Sequence, residues 1–170
     1  MEDSNIPKTQ PKPVFLEIER KFLVKEDLIL PLLQDPSTKK IAIKQGYIVK
    51  NELGSVRVRI QDNLDLLDAP KAFLMSKTKV DNYMSNEETE DEISLSTAQR
   101  LLSKFSLNYI SKVRYIIDVG GKKWEVDVFE KPNRLILAEI ELTSADEVIT
   151  IPEWVDVEVT GVSKYYNANM

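Results

Sequence analysis

Along much of this chain charged and apolar residues trade places at every second position, and the charged set holds both signs. Glu17, Glu19 and Lys21 alternate with Leu16, Ile18 and Arg20 before Phe22, and Arg57 and Arg59 alternate with Val56, Val58 and Ile60. The same pattern returns at Lys77, at Glu90 and Glu92, at Lys112 and Arg114, at Glu125 and Asp127, and at Glu139 and Glu141. In a β-strand, residues two apart lie on one face roughly 7 Å from each other, and the residues between them point the opposite way. Each segment therefore folds as a strand with one ionic and one oily face.

An ordinary solvated sheet face would mix in Ser, Thr, Asn and Gln. Here the face opposite the charges, with Val56, Val58, Ile60, Leu74, Val113, Val126, Val128, Leu137, Ile140 and Leu142, is too apolar to be left uncovered. Burying it at roughly 25 cal/mol per Å² favours a layer between the sheet and covering helices. The charges are then placed inside, where a buried ion costs several kcal/mol unless it is paired or ligated. Opposite signs around a wet interior answer that cost. The fold expected is α+β, mainly β: a closed eight-stranded antiparallel barrel with a charged interior and a few surrounding helices. Eight strands enclose room for one small ligand.

The elements read in order as follows. Residues 1–13, with Pro7, Pro11 and Pro13, form an N-terminal arm, and a single domain spans 14–170. Strands are predicted at 15–24, 40–49, 55–61, 71–79, 88–94, 109–119, 122–129 and 135–142, with a short terminal strand over 155–160. Helices are predicted at 25–34, spaced through Leu28, Leu32 and Leu33 until Pro36, and at 96–105, capped by Ser94 or Ser96. A short helix is expected at 144–148, and a polar loop at 81–86. Gly120-Gly121 permits the positive φ angles of a tight hairpin.

The chain has no cysteine and no histidine. Disulfides, thiolate zinc sites, and cysteine or histidine nucleophiles are excluded. A bound metal must accept oxygen donors, which favours Mg²⁺, Mn²⁺ or Ca²⁺ over zinc. A net charge of -5 argues against general nucleic-acid binding, which asks for an excess of Lys and Arg. No apolar run reaches membrane-spanning length and no signal-peptide core follows the polar start, so a cytoplasmic location without membrane contact is expected. Carboxylates facing guanidinium and ammonium groups suit a multi-anion ligand carried with divalent cations. The economical chemistry is attack of water on a terminal phosphoryl group, with Lys and Arg neutralising the departing charge.

The run Glu17-Ile18-Glu19-Arg20-Lys21-Phe22-Leu23-Val24 resembles the Glu-x-Glu-x-Lys opening signature of the CYTH superfamily, the triphosphate tunnel metalloenzymes. The likeness continues through Gln45-Gly46-Tyr47, Val56-Arg57-Val58-Arg59, Lys77, Glu90 with Glu92, Lys112 with Arg114, Glu125-Val126-Asp127-Val128-Phe129 and Glu139-Ile140-Glu141, covering roughly 15–165. It implies an eight-stranded tunnel that binds a triphosphate group, with divalent metal driving hydrolysis or, in some members, cyclisation. By position, it implies triphosphate contacts from Lys21, Arg57, Arg59, Lys77, Lys112, Arg114 and Lys164. Metal ligands are implied at Glu17, Glu19, Asp127, Glu139 and Glu141, and catalytic roles at Lys21, Arg59, Glu90 and Glu92. Glu125 suits a ligand or an ion-pair role.

Two positions depart from the family pattern. Glu87, Glu88 and Thr89 stand where many relatives place an Arg, and Ser163-Lys164-Tyr165 keeps one basic residue where a pair is common. Both lower the positive charge near the tunnel. The expected function is Mg²⁺- or Mn²⁺-dependent hydrolysis of triphosphate, with inorganic tripolyphosphate the first substrate. The alternatives are a class IV type adenylate cyclase, an organic (nucleoside or thiamine) triphosphatase, and a noncatalytic polyphosphate-binding module. The expected partner is a small-molecule triphosphate or polyphosphate, and a homodimer is left open.

Overall fold

A computed structural model describes residues 15–79, 85–106, 109–131 and 134–170. The arm expected at 1–13 and most of the loop expected at 81–86 lie outside the described residues. Among the described residues nine strands are present: β1 Phe15–Val24, β2 Lys39–Lys50, β3 Gly54–Asn63, β4 Lys71–Lys79, β5 Ser85–Ile93, β6 Tyr109–Val119, β7 Lys122–Lys131, β8 Leu135–Leu142 and β9 Val155–Glu158. Two α-helices, α1 Glu26–Gln34 and α2 Leu95–Phe105, accompany them.

The sheet runs β5-β4-β3-β2-β6-β7-β8-β1 and closes through an antiparallel β1–β5 pairing, so eight strands form a barrel. β1 gives one edge to β8 and divides the other. Its first half pairs with β5 at Phe15↔Glu88 to Ile18↔Ser85, and its second half pairs with β9 at Phe22↔Glu158 and Val24↔Val155. β9 is thus a ninth strand outside the closed circuit. Cross-strand partners share a sheet face. The register sets Glu19 opposite Glu141, Lys21 opposite Glu139, Lys77 opposite Glu88 and Arg114 opposite Asp127. Those pairs collect the charged set on the inner face.

Two apolar layers cover the outside. On β1, β7 and β8, Phe22, Trp124, Val126, Ala138 and Ile140 pack with Ile29 and Leu33 of α1 and with Trp154. Trp124 is fully buried, its ring 5.4 Å from Phe22 and 5.3 Å from Trp154, centroid to centroid. The buried stripe of α1 is Ile29 and Leu33, whereas Leu28 and Leu32, expected to face inward, are exposed. On the other side, Ala98 and Leu102 of α2 pack on Val58 and Ala72. Ser94 caps α2 by accepting from the Thr97 backbone N–H at 3.1 Å. At Gly46 the strand passes beneath the end of α2: a Cβ there would meet Ser106 Oγ at 2.3 Å and Leu102 Cδ2 at 2.8 Å. The expected 120–121 hairpin turns on φ values of 61° and 80°.

Three expectations are corrected. Residues 144–148 form a bend and turn that run into irregular backbone, not a helix, with Glu147 accepting from the Thr143 backbone N–H and hydroxyl at 2.6 and 2.7 Å. β5 starts at Ser85, three residues early, because it must reach β1 to close the barrel. Leu137 is not on the oily outer face. It pairs with Leu23 and Asp127, so it shares the inward face of Glu139. Leu137 joins Ile110, Phe129 and Val159 in a third cluster packed with Tyr165 and Met170 of the C-terminal segment. One end of the barrel interior is therefore apolar, and the charges occupy the rest.

Candidate active site

A cavity of about 440 Å³ opens within the barrel, inside the range of about 300–1,000 Å³ typical of small-molecule sites. Its wall carries six cations, Lys21, Arg57, Arg59, Lys77, Arg114 and Lys123. Seven carboxylates face them, from Glu17, Glu19, Glu88, Glu90, Glu125, Glu139 and Glu141. Met75 and Asn167 complete it. With signs so nearly balanced, the wall attracts a polyanion only through local pairing or added cations.

One arc, on β3, β4, β5 and β1, centres on the Lys77 ammonium. It pairs closely with Glu17, and lies 3.6 Å from Glu19 Oε1 and 3.7 Å from Glu88 Oε1. Burial pushes the Lys77 pKa down, but Glu19, Glu17 and Glu88 outweigh it and the net shift is upward. Glu88 also accepts from Arg57 Nη2 at 3.4 Å. Glu19 is pushed up by burial and then by the Glu139 charge.

The opposite arc, on β6, β7 and β8, is a dense ion network. Arg114 donates from Nε to Asp127 Oδ1 and from Nη2 to Asp127 Oδ2, both at 2.7 Å, and reaches Glu139 Oε2 at 3.0 Å. Its Nη1 pairs with Glu125. Lys112 and Asp127, whose side chains are wholly buried, also pair with each other. Burial works against the ionised Asp127, yet Arg114 and Lys112 hold its carboxyl below the usual range. Across β8, Lys21 Nζ lies 2.6 Å from Glu139 Oε1. Glu139 is held well below the carboxylate range because Lys21, Lys112 and Arg114 outweigh its burial.

Arg59, also on β3, completes the first arc. It donates only a long 3.4 Å hydrogen bond, to Gln45 Oε1, and among the described residues no carboxylate pairs with it. Burial, then Arg57 and Arg114, push its pKa down to about 10. At neutral pH it is still a cation, the charges of Asp127 and Glu88 offsetting only part of that repulsion.

The structure brings Glu17, Glu19, Lys21, Arg57, Arg59, Lys77, Glu90, Arg114, Glu139 and Glu141 together around the cavity, with Glu125 beside them. It places four expected site residues elsewhere. Lys112 and Asp127 face inward but are buried away from the cavity lining, Asp127 pairing with both Lys112 and Arg114. Glu92 is exposed and opposite Phe73, and Lys164 is exposed with its ammonium 4.7 Å from the Tyr165 ring centroid. Glu88, Lys123 and Asn167 line the cavity without having been singled out. Glu88 and Lys123 carried a usable signal, since each keeps the parity of the charged pair on its own strand. Asn167 had none, because it arrives on the C-terminal segment.

Carboxylate oxygens are the donors a hard divalent cation needs, and Glu17, Glu19, Glu139 and Glu141 present them on the cavity wall. By donor chemistry the cavity fits such an ion. Among the described residues, however, no three carboxylates are already gathered at ligating distance.

A closed antiparallel barrel whose interior holds both signs of charge defines a polyanion-handling tunnel protein. The chain belongs to the CYTH family: the CYTH domain matches residues 16–166. It is 35% identical over 156 residues to the inorganic triphosphatase of Acetivibrio thermocellus, covering 91% of this chain and 92% of that one. The crystal structure of the inorganic triphosphatase NE1496 superposes with a TM-score of 0.60 at 27% identity, covering 90% of this chain and 92% of the other. A putative adenylate cyclase from Bacillus halodurans shares the fold, with a TM-score of 0.57 at 17% identity over 78% of this chain and 83% of that one. No described helix is long and apolar enough to cross a membrane.

Proposed function

We propose that this protein hydrolyses triphosphate with the help of Mg²⁺ or Mn²⁺, and that inorganic tripolyphosphate is its first substrate. The observation that carries this reading is Arg59, a half-buried guanidinium on the cavity wall pressed by Arg57 and Arg114, with no carboxylate paired to it among the described residues. Such a group is satisfied by an incoming anion. The likeness to two inorganic triphosphatases supports a triphosphate as that anion.

Arg57 and Arg59 bind and orient phosphoryl oxygens, where the planar guanidinium can donate two parallel hydrogen bonds. Lys21 from β1 and Arg114 from β6 stabilise charge on the phosphoryl group, and Lys77 joins them from β4. Glu17, Glu19, Glu139 and Glu141 are the residues that would hold the divalent cation, with Glu90 near the water. The chemistry such an ion supplies is charge neutralisation at phosphoryl oxygens and a more acidic water. Lys112 and Asp127 act from outside the cavity lining, fixing the position of Arg114. The apolar end formed by Leu137, Phe129 and the C-terminal segment excludes water from one side of the cavity.

The test is phosphate release from tripolyphosphate, with ATP as comparator, in Mg²⁺, in Mn²⁺ and in chelator. Metal-dependent release that favours tripolyphosphate is expected. No release from tripolyphosphate with either metal overturns the proposal.

A further inference from the structure

We propose that the Lys77 ammonium is a tethered stand-in for a divalent cation: it occupies the carboxylate nest of β1 and β5 in the ligand-free protein, and passes from carboxylate to phosphate when metal and triphosphate enter. This inference rests on the metal reading above and adds the order in which charges exchange.

Three observations carry it. The ammonium pairs with Glu17 and lies 3.6 and 3.7 Å from Glu19 and Glu88, so one cation serves three carboxylates from two strands. All four side chains line the cavity and keep about a fifth of their surface exposed, so ions can reach them. Finally, no three carboxylates among the described residues are gathered closely enough to ligate a metal, as expected where a larger, monovalent cation spaces them.

Lysine suits such an exchange. Its charge is a compact point on a flexible four-carbon stem with three rotatable donors, unlike the fixed fork of arginine. Displaced from the nest by a divalent ion, it swings toward the cavity centre, where only an anion can replace its lost partners. Metal and triphosphate then each favour binding of the other, and this coupling is necessarily reciprocal. The cation that vacates the metal ligands becomes a phosphate ligand.

The experiment is a Mn²⁺ titration of the full chain without phosphate, read from the electron paramagnetic resonance signal of free Mn²⁺, on wild type, Lys77→Met and Lys123→Met. Lys123 lines the same cavity but makes no ion pair with the nest among the described residues. Lys77→Met should bind Mn²⁺ about tenfold more tightly, corresponding to about 1.4 kcal/mol, and Lys123→Met should change little. Unchanged or weaker binding in Lys77→Met overturns the inference while leaving the metal reading intact. An equal gain in Lys123→Met also overturns it, since a general field would then account for the effect. No Mn²⁺ binding by any of the three removes the metal reading and this inference together. Lys77→Gln carries the same expectation should Lys77→Met fail to fold.

Discussion

The two arcs of the barrel interior use the same residue types for different ends. On β6, β7 and β8 the pairing converges on Arg114, which meets Asp127, Glu139 and Glu125, while Lys112 meets Asp127 in complete burial. On β3, β4, β5 and β1 the pairing is uneven: Lys77 is close to Glu17 but shared at longer range with Glu19 and Glu88, and Arg59 has no carboxylate partner among the described residues. The first arc is a finished structure, its desolvation cost offset by multiple hydrogen bonds. The second is left unsatisfied in ways that a ligand and a metal can correct. Ion pairs in one protein cannot be read as a single kind of feature: Lys112 and Asp127 are sealed away from the cavity, whereas Arg114 and Glu139 are densely paired and still line it.

The sharpest way to break this contrast is Asp127→Asn. The change removes one negative charge but leaves Lys112 and Arg114 buried against each other. Breaking a buried pair in this way costs about 3–5 kcal/mol, a large share of a domain stability of about 5–15 kcal/mol. Urea unfolding followed by circular dichroism should show the loss. A midpoint like that of wild type would mean that the finished arc contributes no more to stability than the open one.

Arg59→Ala is the complementary change on the open side. Arg59 has no ion pair to lose among the described residues, and its removal relieves repulsion with Arg57 and Arg114. Unfolding stability should therefore hold or rise slightly. Tripolyphosphate affinity, measured by calorimetry with metal present in a catalytically silent background such as Glu141→Gln, should fall by about 1.5–3 kcal/mol, the worth of hydrogen bonds to a charged group. Unchanged affinity would detach the unpaired guanidinium from ligand binding.

Much of the contrast was hidden in the sequence, although the barrel was legible there. Strict alternation at Glu17, Glu19 and Lys21, and at Arg57 and Arg59, sufficed to put charge inside, because strand parity is a local property. Parity cannot say how deep along the barrel a residue sits. Asp127 and Glu125 share a face, yet one is sealed behind Arg114 and the other lines the cavity. Depth depends on strand stagger and on the C-terminal segment that fills one end, both products of long-range packing. Leu137 shows the same limit: its hydrophobicity suggested the outer layer, although its spacing from Glu139 already placed it inward. In α1, Leu28 and Leu32 fit a helical stripe as well as Ile29 and Leu33 do, and only the position of Trp124 decides between them.

The open arc is framed by α2, which packs on Val58 and Ala72 outside β3 and β4. Ser94→Ala removes the hydrogen bond that caps this helix and should cost about 1 kcal/mol. Hydrogen exchange should show faster opening of amides in α2 and the neighbouring strands β3 and β4, with those of β7 and β8 little changed. Equal acceleration on both sides would mean that the two arcs do not open separately.

The smallest effect lies at the seam where β1 leaves β5 for β9. Arg20, on the outer face, donates to Glu158 from Nε at 2.9 Å and from Nη2 at 2.6 Å, and this pairing is the first cause of the lowered Glu158 pKa. A carboxyl whose pKa is lower in the folded than in the unfolded chain stabilises the fold above its unfolded value, near 4.5, and loses that contribution as pH falls through the folded value. Because the pair is partly exposed, its worth is discounted to below about 1 kcal/mol. Glu158→Gln should therefore unfold at slightly lower urea than wild type at pH 7, and the gap should close as both are taken below pH 4. Asp127 obeys the same linkage from a larger starting difference: its carboxyl is also held below the ordinary value of 3.8, so the gap between Asp127→Asn and wild type should narrow as pH falls below that value while staying the larger of the two.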